Sequence, residues 1–236
     1  MSDVFDKYYN KYEDWYDKHK FAFLSELEAI KKVFPSEAKG LEIGVGTGRF
    51  AAALGITIGI DVSGRMLDIA QERGVNVRMA FGEDIPFLNE TFDFVAIIIT
   101  LCFVENPKKV LAEAYRVLTR AGKIIIGIVD KESFLGKYYR RKKSVFYKQA
   151  KFFSVKEVTD LLKETGFASF SYYQTIFVLP DEMSSVERPK RGFGKGGFVV
   201  ISGKKMEKEI RLKPKRTWHI CHTQPSPAEP HRVFNS

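Results

Sequence analysis

Leu41-Glu42-Ile43-Gly44-Val45-Gly46-Thr47-Gly48-Arg49-Phe50 is the stretch on which the reading of this chain turns. Leu41 to Ile43 is a short apolar run that ends a buried strand, and Phe50-Ala51-Ala52-Ala53-Leu54 opens a helix. Three glycines at every second position make the turn between them. Glycine admits a positive φ and lets a ligand approach bare main chain. The helix behind it offers free N–H groups and the positive end of its dipole. Strand, glycine loop and helix together describe a cradle for a nucleotide or cofactor.

Several cofactors use such a cradle, and the spacing separates them. The dinucleotide fingerprint asks for G-x-G-x-x-G/A and an acidic residue about 20 positions later. Counted from Gly44, Arg49 occupies the third glycine position; counted from Gly46, only the permissive Ala51 fits, and Asp61 comes early. Glu42 has no place in that fingerprint. The pattern Glu42-x-Gly44-x-Gly46-x-Gly48 instead resembles motif I of the class I S-adenosylmethionine-dependent methyltransferases, the type 11 or ubiquinone/menaquinone methyltransferase-like group among them. Gly59-Ile60-Asp61-Val62-Ser63 supplies the acid that this family places at the end of its second strand. A carboxylate there accepts two hydrogen bonds from a ribose diol more strongly than a neutral group does. A plain tight turn would also use the glycines, and an Asx-turn would use Asp61.

Further segments carry the same resemblance. Phe81-Gly82-Glu83-Asp84-Ile85-Pro86-Phe87 is similar to the family's G-D-A-E-x-L-P-F segment beside the adenine, with Phe81 in place of the aspartate. Glu113-x-x-Arg116-Val117-Leu118-Thr119-Arg120-Ala121-Gly122 is similar to its E-x-x-R-V-L-K-P-G-G. Tyr12 and Trp15 fall in a Tyr-x-x-Trp stretch that in such enzymes folds over the cofactor, although aromatics there would equally pack a helix onto the sheet. The resemblance spans about residues 5 to 203. It implies an α/β, Rossmann-like, doubly wound sheet of seven strands, mostly parallel with an antiparallel last strand, and helices on both faces. It implies S-adenosylmethionine as cofactor, S-adenosylhomocysteine as product, and a cofactor site at Tyr12, Trp15, Glu42, Gly44, Gly46, Gly48, Asp61, Val62, Met66, Gly82, Glu83 and Thr100.

The whole chain sets bounds on this reading. Its 236 residues suffice for one domain with a sizeable core. A hydrophobic content of 44% excludes a mostly disordered protein. Cys102 and Cys221 lie far apart and fit a reducing, cytoplasmic compartment. The acidic, polar opening is unlike a signal peptide, and the apolar run from Phe94 to Val104 is too short to cross a bilayer. The net charge of +9 is regional: Lys137, Arg140, Arg141, Lys142, Lys143, Lys148 and Lys151 share a segment with no acid.

Alternating elements follow in order. Residues 1–36 read as a helical cap, with Phe23, Leu24, Leu27, Ile30 and Phe34 at helical spacing up to Pro35. Val75 to Ala80, Thr91 to Ile99 and Lys123 to Val129 read as strands, and Met66 to Ala70 and Val110 to Leu118 as helices. Residues 131–152 are a basic, tyrosine-rich insertion read as a lid, with Val145, Phe146, Ala150 and Phe153 as an apolar face. A helix capped by Ser154 and ended by Gly166 leads to strands at Phe167–Phe177 and Gly197–Ser202, joined by a polar loop. Residues 1–204 form the domain, and 205–236 read as a flexible tail. There His219, Cys221, His222 and His231 match no zinc template of two spaced pairs, so no metal is expected.

The resemblance implies direct displacement of a sulfonium methyl by a substrate nucleophile. That step is served by alignment and exclusion of water, so no catalytic residue is assigned. Cys102 reads as a buried cysteine; the proline that precedes a cytosine-methylating cysteine is missing, as is the Asn/Asp-Pro-Pro-aromatic motif of exocyclic-amine DNA methyltransferases. A nucleic-acid partner is thereby disfavoured and a small-molecule substrate expected; oligomeric state is not encoded. Rival readings are an RNA-directed methyltransferase using the basic segments, a non-catalytic methyltransferase-like module, and an NAD-dependent oxidoreductase.

Overall fold

The computed structural model describes residues 2–35 and 37–206. The chain opens with two helices, α1 (Ser2–Lys18) and α2 (Lys20–Lys31). Alternation then builds β1 (Gly40–Ile43), α3 (Arg49–Leu54), β2 (Ile58–Asp61), α4 (Gly64–Glu72), β3 (Asn76–Met79), β4 (Phe92–Ile98), α5 (Pro107–Val117) and β5 (Leu118–Val129). The second half adds α6 (Phe134–Arg141), α7 (Val155–Thr165), β6 (Phe167–Thr175), β7 (Lys190–Arg191) and β8 (Phe198–Lys205).

Helix starts follow local chemistry. Asn106 Oδ1 accepts the Lys109 N–H at 3.1 Å, with Pro107 at the first helical position of α5. Ser154 and Glu157 form a reciprocal capping box on α7, and Gly166, at φ 112°, ends it.

The strands form one sheet in the order β3-β2-β1-β4-β5-β8-β6-β7. β1 to β5 pair in parallel, while β8 inserts antiparallel between β5 and β6. Eight strands stand where seven were expected. The eighth is β7, two residues from the expected polar loop that pair with Tyr173 and Gln174 at the sheet edge. β5 also starts earlier than expected: no proline interrupts residues 118–122, so the ladder runs from Leu118, with an irregularity between Phe92 and Phe94.

Apolar side chains on both faces explain the near-continuous hydrophobic runs of β4 and β5. On one face Leu27, Ile30, Phe50 and Ala70 pack against Phe94 and Ile125. On the other, Leu111, Val117, Val158 and Leu162 pack against Val95 and Ile126. Because β1 and β4 pair in parallel next to β2, their carboxyl ends open together beneath α1. That edge is where open α/β sheets take ligands.

Two boundaries move. α2 stops at Lys31, short of Pro35. The helix of the basic insertion lies at Phe134–Arg141, started by Ser133, whose Oγ accepts the Gly136 N–H at 3.0 Å. Its end falls at Arg140 and Arg141, where cations complement the exposed carbonyls. Val145, Phe146, Ala150 and Phe153 therefore follow the helix instead of forming its face, yet all four line the cavity described below. The expected tail, 205–236, starts one residue too early, because β8 runs to Lys205; its histidines and the rest of it, 207–236, lie outside the described residues.

Candidate functional site

A cavity of about 1000 Å³ runs from the glycine loop along the carboxyl ends of β1, β4 and β5. Ten of the twelve expected residues line it: Tyr12, Trp15, Gly44, Gly46, Asp61, Val62, Met66, Gly82, Glu83 and Thr100. Glu42 and Gly48 do not.

The three glycines have different tasks. Gly46, at φ 52°, faces the cavity, and a Cβ there would point toward the Tyr12 hydroxyl, 3.5 Å away. Gly48, at φ 77°, instead backs onto α4, where a Cβ would meet Ala70 at 3.1 Å. A Cβ at Gly44 would run into the Thr100 side chain, whose hydroxyl donates to the Gly44 carbonyl at 3.1 Å. Ile99 holds that threonine in place with φ 54°, an outlying backbone for a β-branched residue at the strand end. Spacing marked all three glycines alike; only two lie at the cavity.

Asp61 ends β2 and is already engaged. Its Oδ2 accepts the Gly46 N–H at 2.8 Å and its Oδ1 the Ser63 N–H at 3.0 Å. Burial pushes its pKa above the ordinary carboxylate value, against the pull of those N–H groups. Glu42 lies behind it, 2% exposed, with Oε2 lacking any hydrogen-bond partner. Burial, with the nearby Asp61 charge, pushes the Glu42 carboxyl well above its usual range. On the opposite wall, Gly82 is buried against Ile43 and Val110, and Glu83 Oε1 accepts the Asn106 N–H at 3.1 Å. Glu113 and Arg116 pin this wall: Glu113 accepts the Ile85 N–H at 2.9 Å, and Arg116 donates to the carbonyls of Ile85 and Phe87. Phe81, in place of the family's aspartate, is 65% exposed at the cavity rim.

α1 roofs the cradle through a network that sequence reading missed. Glu13 accepts from Thr47 Oγ1 at 2.5 Å, Arg49 Nη2 at 2.7 Å and Arg73 Nη2 at 2.5 Å. Asp6 accepts from Ser63 Oγ at 2.6 Å. Tyr12 thus sits over the glycine loop, and Trp15, also lining the cavity, packs on His19 at 4.5 Å between centroids. Phe5 closes the span, stacking on Phe146 at 5.3 Å and meeting Phe103 at 5.1 Å.

Beyond the cradle the walls turn aromatic. Tyr139 and Tyr147 stack at 4.5 Å, and Tyr16, Phe152 and Ile176 complete this end. Of the three tyrosines in the basic segment, Tyr138 is the exposed one. Cys102 is half-buried on the cavity wall, not fully buried as expected; burial pushes its thiol up to about 12. Glu26 also reaches this end and was not anticipated, although it shares a helical face with Phe23, Leu27 and Ile30. Among the described residues no group of three or more His, Cys, Asp or Glu could hold a metal ion, and no helix is long and apolar enough to cross a membrane.

Residues 41–126 match the family described as a methyltransferase domain. The chain is 53% identical over 205 residues to an uncharacterized protein of Methanocaldococcus jannaschii, covering 86% of this chain and 99% of that protein. It is 50% identical to a crystallised SAM-dependent methyltransferase, possible histamine N-methyltransferase, from Thermotoga maritima; the structures agree with a TM-score of 0.85 over 87% of this chain and 99% of that one. A ubiquinone/menaquinone biosynthesis C-methyltransferase of Geotalea daltonii is 30% identical over 115 residues, 42% of this chain and 48% of that protein.

Proposed function

Because the chain belongs to the S-adenosylmethionine-dependent methyltransferases, we propose that it transfers the methyl group to a nitrogen, oxygen or carbon nucleophile of a small molecule. The observation that supports this substrate class is the roofed cavity, which continues past the cradle into an aromatic end of its own. About 1000 Å³ accommodates a cofactor and a modest partner, and ligand sites of this kind are mostly apolar with few polar groups.

The residues present fit S-adenosylmethionine. Gly44 and Gly46 give bare main chain, Asp61 keeps free lone pairs for a ribose diol, and Met66, Gly82 and Glu83 flank the place for an adenine. Thr100, Tyr12 and Trp15 close over the cradle, while Glu42, Gly48 and Val62 shape it from beneath and beside. Bound there, the cofactor supplies a methyl group on a positively charged sulfur. The chain's own contribution is alignment and dryness: Phe5, Tyr12, Trp15 and Phe146 exclude water. Cys102, held as a thiol, takes no part as nucleophile. Residues 131–152 act as the lid and residues 1–36 as the cap of one domain. A cytoplasmic setting accompanies this reading, since S-adenosylmethionine is supplied there and Cys102 is free.

The rival RNA-directed reading draws on Arg140 to Lys143, all exposed. Replacing these four with glutamine is expected to leave S-adenosylhomocysteine affinity unchanged and RNA binding weak throughout. A tight RNA complex that weakens steeply with salt, and is lost in that variant, would overturn the small-molecule reading.

A further inference from the structure

At the aromatic end of the cavity stands a carboxylate that no residue answers. Glu26, on α2, is 3% exposed, lines the cavity, and has an Oε2 with no hydrogen-bond partner. None of the ion pairs among the described residues involves it. Burying a carboxylate in this way is costly, and a leucine or methionine on that face would be more stable. Its neighbours do not neutralise it. The hydroxyls of Tyr16, Tyr139 and Tyr147, each raised first by burial, lie within electrostatic reach of it.

A buried carboxyl group in a cavity end lined by Tyr16, Tyr139, Tyr147 and Phe152 is complementary to one ligand class. The ring quadrupoles attract a cation, and the carboxylate accepts its N–H groups. An anionic group would be repelled once the acid ionises, and a neutral one could share a hydrogen bond but would not offset the cost of ionising it. We infer that the aromatic end takes a substrate bearing an aliphatic or aromatic amine, with the nitrogen paired to Glu26 among the rings of Tyr16, Tyr139 and Tyr147. This rests on the small-molecule reading above and narrows it. Glu26 is a binding residue in this account, separate from the cradle that holds the cofactor.

Isothermal titration of the full chain saturated with S-adenosylhomocysteine tests it. The probes are 2-phenylethylamine, tyramine, cyclohexylamine and putrescine, with 2-phenylethanol and cyclohexanol as neutral counterparts. At least one amine is expected to bind roughly 30-fold or more tighter than its alcohol. Glu26→Gln should erase that preference and leave S-adenosylhomocysteine affinity within about twofold. Alcohols binding as well as amines, or a parental amine affinity in Glu26→Gln, sinks the inference and leaves the small-molecule reading standing. A chain that binds S-adenosylhomocysteine, refuses all six probes and methylates RNA sinks the reading beneath it as well.

Discussion

The main-chain N–H of Gly46 donates to Asp61 Oδ2 at 2.8 Å, so one carboxylate both braces the glycine loop and faces the cavity. Its other oxygen takes the Ser63 N–H, as in an Asx-turn. Bracing and ligand binding are therefore not alternatives here. Asp61→Ala should weaken S-adenosylhomocysteine binding roughly 30- to 150-fold, from loss of about 2–3 kcal/mol of charge-assisted bonding. It should also lower the melting temperature. Asp61→Asn, which keeps one acceptor oxygen, should regain part of the stability and little of the affinity. Calorimetry and thermal unfolding on the same samples separate the two. Early unfolding with parental affinity would reduce Asp61 to a turn residue.

The glycines predict a second separation. Gly46→Ala meets no clash, since its Cβ would lie 3.5 Å from the Tyr12 hydroxyl, but it enters the cavity and strains a residue at φ 52°. That strain is about 1–2 kcal/mol. Gly48→Ala is strained by as much and pressed on Ala70 at 3.1 Å, away from the cavity. Both variants should therefore lose stability, while S-adenosylhomocysteine affinity falls selectively in Gly46→Ala. Equal affinities in the two folded proteins would place the cofactor elsewhere.

What was legible beforehand was local. The glycine loop, Asp61, the Ser154 and Gly166 caps and the Glu113–Arg116 pair depend on spacings of a few residues, which a chain displays directly. Glu13 meeting Arg49 and Arg73 is a pairing across 36 and 60 positions, and no periodicity announces it. β7 is two residues long, too short to alternate. That Gly48 faces α4 is not legible either, because spacing records that a glycine is required, not which side is crowded. Glu26 did leave a trace: an acid interrupting the apolar stripe of Phe23, Leu27 and Ile30. The roles of Tyr139 and Tyr147 depend on how the basic insertion folds back, which composition alone leaves open.

Glu13 should make the roof sensitive to acid. Burial opposes its ionisation, but hydrogen bonds from Arg49, Arg73 and Thr47 overcome that and bring its pKa down to about 2 from 4.5. A depressed carboxyl contributes stability that is fully present above its unfolded pKa and is lost as pH falls toward 2. The shift corresponds to about 3 kcal/mol. Glu13→Gln should accordingly destabilise the protein at pH 7 and converge on the parent near pH 2–3. It should also raise the dissociation constant for S-adenosylhomocysteine, because α1 then loses its tie to Thr47 and Arg49. Unfolding curves that stay parallel from pH 7 to 3 would show that Glu13 does not carry this anchor.

Glu26 should act in the opposite sense. Burial pushes its pKa up to about 8 from 4.5, so between these values the folded chain holds a proton that the unfolded chain has released. Stability then falls as pH rises through that window, and the full deficit, up to about 5 kcal/mol, is present above pH 8. The groups facing it are Tyr16 from α1, Tyr139 from α6 and Tyr147 from the segment after it, all phenols whose pKa values are raised and which stay neutral there. Glu42 and Asp61 titrate in the same direction but are common to parent and variant. Glu26→Gln should therefore match the parent near pH 4 and exceed it at pH 8. Saturating the parent with an amine that binds should close most of that gap, because the paired carboxylate no longer resists ionisation. Urea unfolding at the two pH values measures it, and a gap that does not widen with pH means that the Glu26 carboxylate is not desolvated.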